Sequence, residues 1–414
     1  MARRDEFVVG LDVGTQRVRA VVGEHDEKGI QITGIGQAEG AGLKGGMVVN
    51  IESTTRAIQR AIDDAARMAG CDIARVHVSV GGQHLEGTNS QGVVAIKDGE
   101  VRIGDRDWVL DAAQAVKLSP DREFLQMLPQ KYCVDDTDGV QSPIGITGVR
   151  LEARVHLITA AQAAVQNLRR CVEQADLEIA DLIASPLAAS DSVLYDDEKE
   201  LGVAMVDLGA GTTDVAIWHD DALVHTAVLP FGGNHVTSDV AFGLRTPKAE
   251  AERIKCRHGS ASLTEVDEDE MIDVPSVGGR PPQQQTRQFL AEIIEPRITE
   301  ILEHISEEIR RSGYQELLAS GVVLTGGTAN LLGTKEVAED TLGMPVRFGS
   351  PNQVGGLKDM VADPSFAAAV GLVKYGFIGN KVFHLDTRQR SYDRGNGLFP
   401  KIWQSVQNFG QIFF

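Results

Sequence analysis

Two stretches about two hundred residues apart share one strand–turn–strand pattern, and this repetition constrains the fold more than any other feature. One lies at residues 203–217 around the turn at 207–214 (DLGAGTTD), and the other at 7–22 around the turn at 12–16 (DVGTQ). In each, an apolar strand leads into a turn that begins with Asp and contains Gly and Thr, and a second apolar strand follows. The repeat predicts a chain of two similar halves.

The chemistry of both turns suits phosphate. Glycine lets the backbone N–H groups approach a phosphate closely, and threonine hydroxyls add further donors. The candidate phosphate-binding residues are Gly14, Thr15, Gln16, Gly209, Gly211, Thr212 and Thr213. Asp12 and Asp207 each stand at a strand end, where a carboxylate can hold the hydrated Mg²⁺ of a nucleotide. Asp214 is a further candidate for positioning metal-bound water. A single Gly-rich hairpin can equally be a plain tight turn, and it is the second hairpin of the same kind that favours phosphate binding.

Two Gly-Gly turns extend the candidate site. Gly326 and Gly327 follow an apolar strand at 322–325, and Gly232 and Gly233 precede a predicted helix, where backbone N–H groups can meet phosphate. Together with the two hairpins, they describe a two-lobed cleft around one nucleotide. The pattern resembles the superfamily of actin, the sugar kinases and the heat-shock ATPases. This resemblance implies an α/β fold, actin-like and two-lobed, with a duplicated ribonuclease-H-like core that binds ATP.

Glu252 and Lys255 lie three residues apart on one face of a predicted helix at 249–255. The superfamily resemblance favours a nucleoside-binding role: Glu252 accepts hydrogen bonds from the ribose hydroxyls, and the stem of Lys255 packs on adenine. The alternative is an ordinary surface ion pair.

Composition narrows the class of protein. Lys and Arg number 40 against 59 Asp and Glu, a net charge of −19 without a basic stripe, which argues against a nucleic-acid partner. Four scattered cysteines without a CxxC pair argue against a zinc site or a disulfide framework and suit a reducing compartment. The first residues lack a signal peptide, and no apolar run approaches the ~20 residues that span a bilayer. We therefore expect a cytoplasmic protein.

The order of predicted elements divides the chain into eight segments. The first-lobe core covers 1–84 and continues at 161–200, and an inserted α+β subdomain covers 85–160, with helices predicted at 106–116 and 119–127. The insertion is interpreted as an interaction module, with a simple cover for the sheet as the alternative. The second-lobe core covers 201–229 and 313–385, and a small nucleotide- and partner-binding subdomain covers 230–312. The segment 366–377 is expected to close the second lobe as a small-residue helix that packs closely on a helix across the cleft.

The last residues form a polar linker at 386–397 and a predicted amphipathic helix at 398–414. In helical geometry the large apolar side chains fall within an arc of about 120°; they are Phe399, Ile402, Trp403, Val406, Phe409 and Phe413. This profile is typical of a membrane-targeting helix that lies in the interface. A single tail binds reversibly, so stable attachment needs several tails on one assembly. A partner-binding helix is the alternative.

Two further stretches, 275–282 (PSVGGRPP) and 294–300 (IEPRITE), together with the ATP cleft, the insertion and the tail, resemble the FtsA family of bacterial cell-division proteins. The resemblance implies ATP and Mg²⁺ binding, actin-like filaments, and tethering of the division protein FtsZ to the cytoplasmic face of the inner membrane at the division site. It places Arg297 and Glu300 on the face that binds the C-terminal peptide of FtsZ. It also implies that the insertion serves polymer contacts and later division proteins.

Ser185 stands on the connector between the lobes, where active relatives in the superfamily place Glu or Gln to orient the attacking water. Serine orients water less well, which predicts tight ATP binding with slow or absent hydrolysis. The bound nucleotide then sets lobe closure and polymer state. Two alternatives remain on the same fold: a small-molecule kinase with Asp214 as its base, and a pilus-assembly adaptor.

Overall fold

The computed structural model describes residues 7–382, and residues 1–6 and 383–414 lie outside it. The predicted linker and the amphipathic helix at 398–414 therefore fall outside the described residues. Within 7–382, none of the helices combines the length and the apolar character that a bilayer crossing requires.

The secondary structure alternates strands and helices along the chain. The strands are β1 (Phe7–Val13), β2 (Arg17–Asp26), β3 (Gly29–Glu39), β4 (Leu43–Lys44), β5 (Met47–Val48), β6 (Arg75–Val80), β7 (Glu86–Ala95), β8 (Arg122–Val134), β9 (Thr137–Val140), β10 (Arg150–Ala161), β11 (Glu178–Ala184), β12 (Val203–Leu208), β13 (Thr213–His219), β14 (Ala222–Leu229), β15 (Met271–Val274), β16 (Gln283–Thr286), β17 (Val322–Thr325), β18 (Val346–Phe348) and β19 (Val354–Gly356). The α-helices are α1 (Ile51–Ala69), α2 (Ile103–Gln114), α3 (Gln162–Glu173), α4 (Ser185–Val193), α5 (Asp196–Leu201), α6 (Gly233–Gly243), α7 (Lys248–His258), α8 (Arg287–Ser312), α9 (Thr334–Leu342) and α10 (Ala367–Val382).

Two sheets share one topology, which is the structural counterpart of the repeat in the sequence. The first has the order β11-β6-β1-β2-β3-β19 and the second β14-β13-β12-β17-β18. In both, the opening hairpin and the strand after it are antiparallel. A later strand (β6 or β17) pairs in parallel with the opening strand, and a further strand (β11 or β18) pairs in parallel with that one. The two phosphate-type hairpins are β1–β2 and β12–β13. The predicted duplicated, two-lobed α/β fold is confirmed.

The insertion forms its own four-stranded sheet in the order β7-β10-β8-β9, with α2 packed on β7 and β10. The helix predicted at 106–116 is present as α2, but the helix predicted at 119–127 is wrong because strand β8 begins at Arg122. β8 pairs with β10 along nearly all of its length, and this long-range pairing outweighs a local apolar spacing that also fits a helix. The side chain of Gln126 fixes the position of β8 by bonding to the backbone of Leu182 (2.6 Å) and Ala184 (3.1 Å) in β11.

Helices α4 and α10 cross where the two lobes are connected. A β-carbon at Gly371 of α10 would lie 1.7 Å from the carbonyl oxygen of Ala188 in α4. A β-carbon at Gly10 in β1 would lie 2.3 Å from the carbonyl oxygen of Ala369 in α10. The predicted close packing of the 366–377 segment on another helix is thus confirmed. However, α10 covers the first sheet, because Val370 and Val373 pack with Val21 and Ile32.

The α10 residue Lys374 is buried, and its ammonium group makes long contacts to the amide oxygens of Asn352 (3.5 Å) and Gln353 (3.4 Å). Burial lowers the pKa of Lys374 from 10.5 to about 8, an effect that Asp191 opposes. Because the folded chain holds fewer protons than the unfolded chain between pH 8 and 10.5, its stability is expected to rise with pH across this window. Replacing Lys374 with Met is expected to raise the free energy of unfolding by about 1–2 kcal/mol at pH 7. Urea unfolding of both proteins at pH 7 and pH 9.5 measures this difference, and an equal pH dependence in both would contradict it.

Candidate functional site

The two phosphate-type turns meet at their tips. A β-carbon at Gly211 would lie 2.6 Å from Oγ1 of Thr15, so the second turn touches the first. The N–H of Gly14 closes the first turn on the carbonyl of Arg17 (3.0 Å), and the carbonyl of Gln16 accepts the N–H of Gly40 (2.8 Å). The structure thus brings both predicted turns to one place between the two sheets.

Three carboxylates converge behind these turns. Burial, together with the negative charge of Asp12, raises the pKa of Asp207 to about 7, an effect that Arg19 opposes. Burial also raises the pKa of Asp214, with the charges of Asp207 and Asp12 adding to the effect. At Asp12, burial raises the pKa against a hydrogen bond from Ser79 (2.7 Å). The three acids are therefore close enough to repel one another.

This cluster fits a divalent cation. Oδ1 of Asp214 is buried and has no hydrogen-bond partner among residues 7–382. An unpaired buried carboxylate oxygen is costly unless a charged or polar group faces it. Hard oxygen donors are what Mg²⁺ prefers, and this ion commonly keeps several waters and shares phosphate oxygens. Within residues 7–382, no group of three or more His, Cys, Asp or Glu side chains is arranged to hold a metal ion through protein ligands alone. The donor set therefore suits an ion held largely through water and phosphate.

Arg19 is a site residue that the sequence analysis missed. In the β1–β2 hairpin it pairs directly with Asp12. Its positive charge acts on Asp12, Asp207 and Asp363, and its guanidinium lies 5.1 Å from the ring centre of Phe366. The Nε atom of Arg19 is buried and has no hydrogen-bond partner within the part of the chain that the structure describes. The sequence signal that could have identified Arg19 is the hairpin itself, because antiparallel pairing across the turn places residue 19 opposite residue 12.

The second hairpin is packed against both Gly-Gly turns. The N–H of Gly233 donates to the carbonyl of Gly209 (3.0 Å), and the hydroxyl of Thr328 donates to the same oxygen (2.9 Å). Gly326 has a φ of 86°, and a β-carbon there would lie 2.2 Å from Oδ1 of Asp207. The turns therefore border the acidic cluster; their glycines are Gly232, Gly233, Gly326 and Gly327.

Thr213 and Thr212 differ in their surroundings. The side chain of Thr213 is fully buried, and its hydroxyl donates to the carbonyl of Phe231 (2.9 Å). In this conformation the Thr213 hydroxyl supports the turn before Gly232 and is not free for a phosphate. The Thr212 hydroxyl is hydrogen-bonded to Asp214, as is the hydroxyl of Ser185 at the start of α4.

Glu252 and Lys255 form a bridge that is largely buried. Nζ of Lys255 lies 2.8 Å from Oε2 of Glu252 and donates to the hydroxyl of Thr237 (2.9 Å) and the carbonyl of Gly233 (3.2 Å). Burial acts to raise the pKa of Glu252, but the charge and hydrogen bond of Lys255, together with other hydrogen bonds, lower it overall. The pair thus holds α7 to the Gly-Gly turn at the start of α6. A role toward ribose or adenine stays a prediction.

Arg297 and Glu300 are partners on α8, and the structure adds a third residue. Nε of Arg297 donates to Oδ2 of Asp239 on α6 (2.5 Å), Nη2 reaches Oδ1 of the same carboxylate (3.3 Å), and Nη1 donates to Glu300. All three side chains are partly exposed. Helix α6 begins at Gly233 beside the phosphate-type hairpin, so one helix connects the acidic cluster region to this charged face.

Comparison with solved structures identifies the fold. The PilM–PilN type IV pilus biogenesis complex matches with a TM-score of 0.65 at 17% identity, over 90% of this chain and 99% of the solved one. MreB 5 of Spiroplasma citri bound to AMPPNP matches with a TM-score of 0.55 at 13% identity, over 92% of this chain and 98% of the solved one. At these identities the likeness shows the fold alone, which is actin-like.

Comparison of sequences identifies the family. The family model "Cell division protein FtsA" matches residues 204–371, and the model "SHS2 domain inserted in FTSA" matches residues 82–159. The FtsA of Pseudomonas aeruginosa is 50% identical over 90% of this chain and 89% of its own length. The FtsA of Neisseria meningitidis is 42% identical over 99% of this chain and 100% of its own length, and that of Escherichia coli is 43% identical over 90% of each. The chain therefore belongs to the FtsA family of cell division proteins.

Proposed function

We propose that this division protein binds ATP with Mg²⁺ between its two hairpins. The observation that supports this most strongly is the set of opposed acids, Asp12 from one lobe and Asp207 and Asp214 from the other, beneath turns rich in glycine. A bound Mg²⁺ supplies the positive charge that compensates these carboxylates and the phosphates. Thr15 from the first lobe and Gly211 and Thr212 from the second present N–H or hydroxyl donors, whereas the N–H groups of Gly14 and Gly209 close their own turns on the carbonyls of Arg17 and Asp207.

Turnover is expected to be slow. Two hydroxyl groups within residues 7–382 act on Asp214. The one that belongs to the connector is the short hydroxyl of Ser185. A serine hydroxyl is a weak group for orienting or deprotonating water. Nucleotide binding then acts mainly by favouring one arrangement of the lobes, and this arrangement sets the polymer state of the chain.

The same proposal assigns the chain a tethering role. Arg297 and Glu300, joined by Asp239, form a charged face suited to the C-terminal peptide of FtsZ, and the segment 398–414, for which the sequence predicts an amphipathic helix, attaches the chain to the cytoplasmic face of the inner membrane. The chain would assemble into actin-like filaments that supply the several tails needed for stable attachment, and recruit later division proteins. Membership of a division-protein family favours this role over the kinase and the pilus-assembly adaptor.

A double dissociation tests the tethering role. The full chain, with ATP and Mg²⁺, is expected to carry a fluorescent FtsZ C-terminal peptide into the pellet with anionic phospholipid vesicles. The variant Arg297→Ala is expected to sediment with vesicles but lose at least tenfold in peptide affinity, because charge-assisted bonds at this face disappear. A chain ending at Gly397 is expected to bind the peptide in solution but to leave the vesicles.

The matched control is Arg310→Ala. Arg310 lies on the same helix and also pairs with an acid three residues away, Glu307, but it is far more exposed than Arg297. Its replacement is expected to change neither binding step. Unchanged peptide affinity in Arg297→Ala, or vesicle binding that survives truncation at Gly397, would contradict the corresponding half of the proposal.

A further inference from the structure

The inserted subdomain contacts both lobes. It leaves the first lobe after β6 and returns to it at α3, yet its strands β7, β8 and β10 pack against β14, the edge strand of the second sheet. An ion pair between Lys131 and Asp220 (2.5 Å) lies at the same contact. The insertion is thus joined to the first lobe by the chain and to the second lobe by non-covalent contacts.

A β-bulge in β14 determines where the insertion docks. Ile217 of β13 pairs with His225 and Trp218 pairs with Leu223, so Val224 is left without a partner in the ladder. A bulge leaves backbone groups without their normal ladder bonds. The amide nitrogen of Asn89 donates to the carbonyl of Val224 (2.9 Å), and that of Gln130 donates to the carbonyl of Leu223 (3.0 Å). Two side chains of the insertion therefore donate hydrogen bonds to backbone carbonyls at the irregular edge of the second sheet.

His156 completes this contact, and its tautomer follows from its partners. Oδ1 of Asn89 can only accept, so Nδ1 of His156 (2.7 Å) carries the hydrogen, and Nε2 accepts the hydroxyl of Thr226 (2.8 Å). His156 and Thr226 are both buried, and burial lowers the pKa of His156 to about 3. The ring remains neutral at physiological pH, so its hydrogen bonds to Asn89 and Thr226 persist as long as the insertion is docked.

The contact also depends on a glycine. A β-carbon at Gly87 would lie 2.1 Å from Oγ1 of Thr226 and 2.7 Å from Nε2 of His156. Real β-carbons do not approach other atoms so closely, so a side chain at this position must displace the Thr226 hydroxyl and the His156 ring. Glycine at position 87 therefore leaves the space in which the His156–Thr226 hydrogen bond forms.

We propose that the inserted subdomain is an inter-lobe clamp, whose docking on β14 through Asn89, His156 and Thr226 must break or shift before the lobes open and release nucleotide. This inference rests on the proposed nucleotide cleft. The clamp is a further connection between the lobes, in addition to α4 and α10. Any partner that binds the insertion and changes its docking would thereby change the lifetime of the bound nucleotide.

Two variants of the full chain test the clamp. Gly87→Ala displaces the Thr226 hydroxyl and the His156 ring from their hydrogen bond, and Thr226→Val removes the hydroxyl at nearly constant volume. Each is expected to speed the dissociation of a fluorescent ATP analogue about tenfold and to raise hydrogen exchange in β14. The matched control is Gly104→Ala in α2 of the insertion, where a β-carbon meets no atom within 4 Å. It is expected to leave both measurements unchanged.

The outcomes separate the clamp from the proposed function. Faster exchange in β14 with an unchanged dissociation rate would overturn the clamp, and so would unchanged exchange in both variants. Failure of the wild-type chain to bind the analogue would contradict the nucleotide cleft instead. In that case the clamp is tested by the distribution of distances between spin labels on the two lobes. This distribution is expected to broaden in Gly87→Ala and to stay unchanged in Gly104→Ala, and an unchanged distribution in Gly87→Ala would overturn the clamp.

Discussion

Replacing Asp207 with Asn is expected to remove the magnesium-dependent part of ATP affinity while making the nucleotide-free chain more stable. Asp207 is the second-lobe acid that faces Asp12, and its charged form is disfavoured by burial and by that neighbour, which raises its pKa to about 7. A neutral amide relieves this repulsion but no longer attracts a hydrated cation. The affinity in the presence of Mg²⁺ is expected to fall about 100-fold, the usual scale for a lost charge-assisted contact.

Calorimetric titration with ATP, with and without Mg²⁺, measures the binding change, and thermal unfolding without nucleotide measures the stability change. The control is Asp64→Asn, which removes a charge of the same kind from the outer face of α1, where Asp64 pairs with Arg67. Its titration curves are expected to match those of the wild type. A loss of affinity in Asp207→Asn that is equal with and without Mg²⁺ would show that Asp207 does not act through the metal.

Replacing Gly371 with Ala is expected to lower the free energy of unfolding by more than about 3 kcal/mol, a large part of the total stability of a domain. The added β-carbon would lie 1.7 Å from the carbonyl oxygen of Ala188 and 2.5 Å from its carbonyl carbon. These are backbone atoms of α4, so no side-chain rotation relieves the overlap and the two connecting helices must separate.

Gly104→Ala is again the matched control, because it makes the same substitution in a helix with open space around it. Alanine has the higher helix propensity, so this control is expected to be neutral or slightly stabilising. Chemical unfolding of both variants gives the comparison. A midpoint for Gly371→Ala within error of the wild type would mean that α4 and α10 do not need their close crossing.

The features that were predictable from the sequence are local ones. Asp12, Asp207 and the glycines around them lie within short turns, where spacing alone indicates a hairpin and its chemistry. The features that were missed depend on distant parts of the chain. Asp239 meets Arg297 across 58 residues, and strand β8 is fixed by β10 and β11, so the apolar spacing near residue 122 could not distinguish a strand from a helix.

The burial of Lys255 and the position of α10 were also missed, because they too depend on distant parts of the chain. The spacing of Glu252 and Lys255 indicates a shared helix face but not that the Gly-Gly turn covers it. The small residues around Gly371 indicate close packing but not which sheet the helix covers. In both cases the sequence pattern specifies the surface, and the tertiary fold selects the partner.

The position of α10 on the first sheet also affects how the protein is made. Val370 and Val373 cover Val21 and Ile32, which a ribosome synthesises some 340 residues earlier. A nascent chain therefore keeps one face of its N-terminal sheet without this cover through most of translation. Aggregation of the growing chain, and its capture by chaperones, are consequently most relevant before α10 emerges from the exit tunnel.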